Sequence, residues 1–196
     1  MRDKANGYIY YDFHKKTEKE EIIETAWKSV FNWLAVIVGL LAVIILLWSM
    51  FFRVIEVDGG SMLPTLEDGD KVIVYTFNYT PEAGDIIVAE SDYADGTVLV
   101  KRVIAKDGQT VAVDYDNDTV YVDSSALNEA YLYSEDIEPH DDEIEYPHTV
   151  QDGCLFLMGD NRNSSKDSRS TAIGDIDADY VLGKVVFRIS SDYKIY

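Results

Sequence analysis

From Leu34 to Phe52 the chain reads LAVIVGLLAVIILLWSMFF, with no charge and one ordinary polar residue, Ser49. At about 1.5 Å per helical residue this run reaches roughly 28 Å, close to the roughly 30 Å hydrocarbon core of a bilayer. Trp33 and Trp48 stand towards its ends, where interfacial aromatics gather. A helix buried in a soluble core is the alternative, and the length of uniformly apolar sequence argues against it. A cleaved signal peptide fits poorly, because the run exceeds the usual length of about 7–15 residues. It also ends in Phe51-Phe52-Arg53, not in small residues. The pattern predicts a polar tail over 1–28, an uncleaved transmembrane anchor over 29–52 and a separate domain over 53–196. Within the tail, Thr17–Lys28 can be helical and run on into the anchor.

Beyond Arg53 the apolar spacing shortens from helical to strand-like. Val72 and Val74 alternate with Lys71, Ile73 and Tyr75, and Ile86–Ala89 follows a turn cluster of Pro81, Gly84 and Asp85. Thr97–Ile104 is the strongest strand candidate. Val111–Val113 and Val120–Val122 flank the polar stretch Asp114–Asp118, which predicts a hairpin. Leu155–Met158 and Tyr180–Ile189 supply later strands. Short β-rich segments punctuated by Gly, Asp and Pro indicate a mostly β domain.

Charge adds a constraint. The formal net charge is -19, and the imbalance falls on the part that follows the anchor, since residues 1–28 are neutral. Such a domain repels nucleic acid, whose recognition rests on Lys and Arg reaching phosphates. It also offers no electrostatic hold on anionic lipid. Lys15, Lys16, Lys19 and Lys28 precede the anchor, while Arg53 alone follows closely, which predicts a cytoplasmic N-terminus and an extracytoplasmic domain. Cys154 is the only cysteine, so no intrachain disulfide forms, and its apolar neighbours suggest a small buried side chain. Ser134–His148 is rich in acids and carries His140 and His148. Its spacing matches neither a zinc site nor an EF-hand, so a solvated acidic loop is expected, with weak calcium attraction as the competing reading.

Three islands carry candidate chemistry. In Val57–Asp70, Gly59-Gly60 frees the backbone just before Ser61, and Pro64 fixes the exit. By itself this describes an ordinary Gly-Ser loop as well as a nucleophile. In Thr97–Ile104, strand alternation puts Lys101 on one face with Leu99 and Val103, and Arg102 on the other. Lys101 is then either an edge lysine whose head reaches water or a desolvated amine able to take a proton from a hydroxyl. In Gly159–Arg169, Asp160, Arg162, Asp167 and Arg169 can compensate one another, giving a rigid polar loop or a scaffold for the lysine.

Taken in this order behind an N-terminal anchor, the islands resemble the bacterial type I signal peptidases of the serine–lysine class, in their compact, Gram-positive-like form. Gly60-Ser61-Met62 with Pro64-Thr65-Leu66 resembles the nucleophile motif and Lys101-Arg102-Val103 the general-base motif. Gly159-Asp160-Asn161-Arg162 with Ser165, Asp167, Ser168 and Arg169 resembles the last box, and Gly183 matches a later family position. The resemblance implies a coiled antiparallel β-sheet catalytic domain preceded by one transmembrane helix. It implies Ser61 as nucleophile, Lys101 as general base and Ser165 as the hydroxyl that orients Lys101. Asp160, Asp167 and Arg169 would form the scaffold, and Met62 would help line an apolar pocket region. No cofactor or metal is implied. The implied substrates are signal-peptide-bearing preproteins brought by the export translocon and cut after small residues beside the bilayer. Gly59 stands where some relatives have a serine that serves the oxyanion hole, which shifts that work to backbone N–H groups beside Gly60, chiefly that of Ser61. Two other readings compete: a serine–lysine enzyme with one dedicated client, and a catalytically silent membrane-anchored assembly factor.

Overall fold

The computed structural model describes residues 17–91, 97–134 and 136–190. Lys15 and Lys16, which enter the orientation argument, lie outside that range. The chain divides into two units, Met1–Trp48 and Ser49–Tyr196.

The first unit is helical. Helix α1 spans Glu18–Phe51 and is long and apolar enough to cross a membrane. It takes in the segment up to Lys28, expected to run helically into the anchor, and Thr17 and Glu20 cap its start. The Glu20 N–H donates to the Thr17 carbonyl, and the Thr17 N–H donates to Glu20 Oε2 at 2.8 Å. Lys28 pairs with Glu24 one turn back at 3.0 Å. The helix ends at Phe51, and Phe52 opens the first strand.

The second unit holds two antiparallel sheets. Strands β1 (Phe52–Glu56), β2 (Lys71–Tyr75), β3 (Ile86–Ser91), β4 (Thr97–Lys106), β9 (Cys154–Met158), β10 (Ile176–Asp177) and β11 (Val181–Ile189) form a seven-stranded sheet in the order β1-β2-β11-β3-β4-β9-β10. Strands β5 (Thr110–Asp114), β6 (Thr119–Val122), β7 (Ser125–Ala126) and β8 (His148–Thr149) form a smaller sheet in the order β7-β6-β5-β8. The mostly β, antiparallel expectation holds, and the predicted hairpin is β5–β6. β11 joins two neighbours by changing partner along its length: Val181–Lys184 pairs with β3, and Lys184–Ile189 pairs with β2. A bulge at Val186 sits inside the second pairing.

Alternation along β4 divides the core. Val103 and Leu99 face a cluster that includes Ile87, Ala89, Leu155 and Leu157. Val100 packs on the opposite cluster, with Val57, Met62, Leu66, Val72, Val74 and Val88. A third cluster, around Ile104, Ala105, Val111, Val120, Phe156 and Met158, joins the small sheet to the large one. The loops after β1 and β9 are thereby held against the middle of β4.

Candidate active site

Lys101 lies on β4 with only 4% of its surface exposed, on the face shared with Leu99 and Val103. So little exposure runs against the edge-lysine alternative, whose head group would stand in water. Its Nζ hydrogen-bonds Ser61 Oγ at 2.6 Å, bridging β4 and the tight loop after β1. Burial pushes the amine below the ordinary lysine range. Asp167 and Asp160 oppose that shift, and Arg169 favours it. Such an amine can exist neutral, with a lone pair aimed at the hydroxyl, which is the condition for accepting its proton.

The serine loop is fixed from two sides. Asn161 donates its backbone N–H to the Ser61 carbonyl and its side-chain amide to the Gly60 carbonyl, each at 3.0 Å. Thr65 donates its hydroxyl to Asp160 Oδ2 at 2.5 Å. On the far side Arg188, from β11, donates to the Thr65 carbonyl at 3.0 Å and to Glu67 at 2.8 Å, and its Nε lies 2.5 Å from buried Asp70. Gly59 adopts φ +83°, a left-handed conformation that costs glycine little, and gives its N–H to Asp68 at 2.8 Å. The Ser61 N–H has no acceptor among the described residues.

The loop after β9 supplies the remaining polar groups. Gly159 brings it against the serine loop: a β-carbon there would fall within 3.0 Å of the Ser61 carbonyl oxygen and of Ser165 Oγ. Asp160 receives a two-pronged contact from Arg102, Nε at 2.8 Å and Nη2 at 2.6 Å. The Tyr131 ring stacks on the same guanidinium at 3.9 Å. Asp167 is fully enclosed and accepts from Ser165 Oγ at 2.6 Å, the Gly159 N–H at 2.9 Å and Arg169 Nε at 2.9 Å. Burial alone would raise this carboxyl, but the Arg169 charge and the three kinds of donor hold it below its ordinary value.

Ser165 and Met62 are placed as follows. The Ser165 hydroxyl donates to Asp167, which leaves its oxygen lone pairs free to accept. Met62 is 1% exposed and packs with Val57, Leu66, Val72, Val74 and Val88. Sequence reasoning missed Glu129, which pairs with buried Arg162, along with Tyr131 and Arg188. Glu129 and Tyr131 lie in an irregular stretch with no periodicity to mark them. Arg188 follows a bulge that upsets simple alternation.

The sequence of residues 30–190 matches the family model described as signal peptidase, peptidase S26. A probable signal peptidase I-1 from Synechocystis sp. (strain ATCC 27184 / PCC 6803 / Kazusa) is 39% identical over 67% of this chain and 68% of its own. A signal peptidase I from Bacillus licheniformis is 34% identical over 81% of this chain and 88% of its own. The crystal structure of a signal peptidase I from Enterococcus faecalis V583 superposes with a TM-score of 0.45 and 30% identity, covering 55% of this chain and 98% of that one. With most of its length inside the family model, the chain belongs to the signal peptidase family, peptidase S26, and is a serine-type endopeptidase.

Proposed function

We propose that Ser61 and Lys101 form the catalytic dyad of an enzyme that cuts signal peptides from exported preproteins at the outer face of the membrane. The observation that carries this reading is the 2.6 Å contact between a serine hydroxyl and a buried lysine amine. Lys101, neutral, accepts the Ser61 proton while Oγ attacks the carbonyl carbon of the scissile peptide bond. The tetrahedral intermediate collapses, its amine leaves with a proton from Lys101, and Ser61 holds the signal peptide as an ester. Water, losing a proton to Lys101, then attacks that ester and frees the serine.

The uncommitted Ser61 N–H is a suitable oxyanion donor, a role worth roughly 3 kcal/mol when well aimed. Gly59 already gives its N–H to Asp68 and is not available for it. The substrate lies extended along β4, where Thr97–Lys101 pairs with β3 and pairing with β9 begins only at Arg102. A strand added there gains main-chain hydrogen bonds whatever its side chains. α1 is the membrane anchor between a cytoplasmic tail and an extracytoplasmic domain, in keeping with the lysines before it. Preproteins arrive from the export translocon.

The test is cleavage of a panel of preproteins by full-length enzyme in detergent, read by mass spectrometry. Ser61→Ala and Lys101→Ala are each expected to lose all cleavage while remaining folded. Cleavage by both variants at the wild-type rate would sink the dyad. Processing of one preprotein alone would replace a general enzyme with a dedicated one.

A further inference from the structure

The irregular stretch 129–133, after β7, is fastened along the turn that follows β9. Arg162 grips Glu129 with two prongs, Nη1 donating to Oε2 at 3.0 Å and Nη2 to Oε1. The Tyr131 hydroxyl donates to Glu129 Oε1 at 2.8 Å, while its ring lies on the Arg102 guanidinium. The Tyr133 N–H donates to the Asp160 carbonyl at 3.2 Å. The acidic segment that follows, expected to be solvated, is in part attached as well. The Ile144 N–H donates to the Arg169 carbonyl at 2.8 Å, and the Thr171 N–H to the Asp142 carbonyl at 2.7 Å. Among the described residues no group of three His, Cys, Asp or Glu side chains is placed to hold a metal ion.

The proposed chemistry uses neither Glu129 nor Arg162, yet their pair sits at a junction of the site. Arg162 is 2% exposed, and a guanidinium buried that far needs an opposite charge beside it. Glu129, its side chain 7% exposed, supplies that charge. Arg162 Nε donates to the Gly159 carbonyl at 3.1 Å, so the side chain folds back across its own turn. The Arg162 carbonyl accepts from Arg169 Nη2 at 2.6 Å. Its neighbour Asn161 gives its two donors to the Ser61 and Gly60 carbonyls. Arg162 therefore joins Glu129 to the serine loop on one side and to the Asp167–Arg169 pair on the other. Burial, and then the Glu129 charge, push the Tyr131 phenol above its ordinary range, so it remains an O–H donor to Glu129.

We infer that Glu129 is a positioning residue, gripping Arg162 so that Asn161 holds Ser61 at its distance from Lys101. The inference rests on the Ser61–Lys101 reading. The path is short: an ion pair from Glu129 to Arg162, a peptide bond to Asn161, and a hydrogen bond to the Ser61 carbonyl. Without Glu129 the buried guanidinium has no counter-charge and turns towards water, drawing the turn with it. Asn161 acts on the main chain of the serine loop, so the loss falls on the chemical step. A displacement of about 1 Å between reacting groups costs about 100-fold in rate, and about half that displacement about ten-fold. Tyr131 contributes by fixing the direction in which Glu129 faces.

The experiment measures kcat and KM for full-length wild type, Glu129→Gln, Asn161→Ala and the double variant. A preprotein is the substrate, in detergent, well below each melting temperature. Glu129→Gln is expected to lower kcat by about ten-fold at nearly unchanged KM. In the Asn161→Ala background the same substitution should cost less than about three-fold, because the side-chain half of the link is already cut. Equal losses in the two backgrounds, a loss confined to KM, or wild-type kcat would overturn the inference. Tyr131→Phe keeps the ring on Arg102 and drops only the hydroxyl on Glu129. It carries the test should either Glu129 variant not fold: about three-fold lower kcat at unchanged KM is expected, and any other outcome overturns the inference. Lys101→Ala, run in parallel, separates the two claims. An active Lys101→Ala enzyme defeats the dyad, whereas an inactive one beside wild-type kinetics in Glu129→Gln defeats only the positioning role.

Discussion

Gly159 stands so close to Ser61 that the space a β-carbon would need is already occupied by the Ser61 carbonyl oxygen. Main chain cannot swing aside as the end of a flexible side chain can. Gly159→Ala should therefore force the two loops apart, costing about 1–3 kcal/mol of stability. A displacement of about 1 Å between reacting groups is enough to lower kcat by about 100-fold. Thermal melting and single-turnover cleavage check the two effects; wild-type rates would show that the loops can separate without harm.

Replacing the buried amine should stabilise the fold. The folded Lys101 pKa is lowered, so between the folded and unfolded values the unfolded chain binds the extra proton and stability rises with pH. Below the folded value the cost of burying the ammonium is fully present. Lys101→Met, inactive, should melt a few degrees above wild type at neutral pH, with the gap narrowing as pH climbs towards about 10.4. A gap independent of pH would mean that burial does not perturb the amine.

Arg102→Lys is conservative in charge alone. Lysine cannot reproduce the two-pronged contact to Asp160 or the stacking on Tyr131. Asp160 also anchors Thr65, so the serine loop shares the damage. A loss of about 2 kcal/mol in chemical denaturation is expected, together with reduced kcat. Unchanged stability would show that Asp160 is adequately held by its other partners.

Arg188 offers a way to loosen the serine loop from outside. Arg188→Ala removes the contacts to Thr65 and Glu67 and the ion pair with buried Asp70. A cost of about 1–2 kcal/mol follows, with kcat falling about ten-fold and KM nearly unchanged. Added guanidinium ion should restore part of the rate. A change confined to KM would instead place Arg188 in substrate binding.

Much of the framework was legible in the sequence because it repeats short rules. The uninterrupted apolar run marked α1, alternation marked β2, β4 and the β5–β6 hairpin, and the same alternation put Lys101 and Arg102 on opposite faces. The polar segment from Thr17 to Lys28 reads as a helical lead-in, and α1 begins at Glu18. Pairings between distant segments were out of reach: Tyr131 stacks on Arg102, and Arg188 reaches Thr65 and Asp70. The acids at Asp142 and Glu143 looked soluble because charge composition carries no record of pairing between segments. It took the Ile144–Arg169 hydrogen bond to show that this stretch follows the site's own main chain.

The adjacent residues Lys101 and Arg102 make β4 intolerant of length change. One side chain meets the serine and the next secures the carboxylate that anchors the serine's loop. Because successive strand residues point to opposite faces, inserting or deleting one residue in Thr97–Val100 can be absorbed only upstream of Thr97. The same change between Arg102 and Lys106 would alter the frame against β9 and exchange the core-facing and site-facing sets. Length variants should therefore be purged from the strand, so a recombination library built on this domain must keep β4 whole and place its crossovers outside Thr97–Lys106.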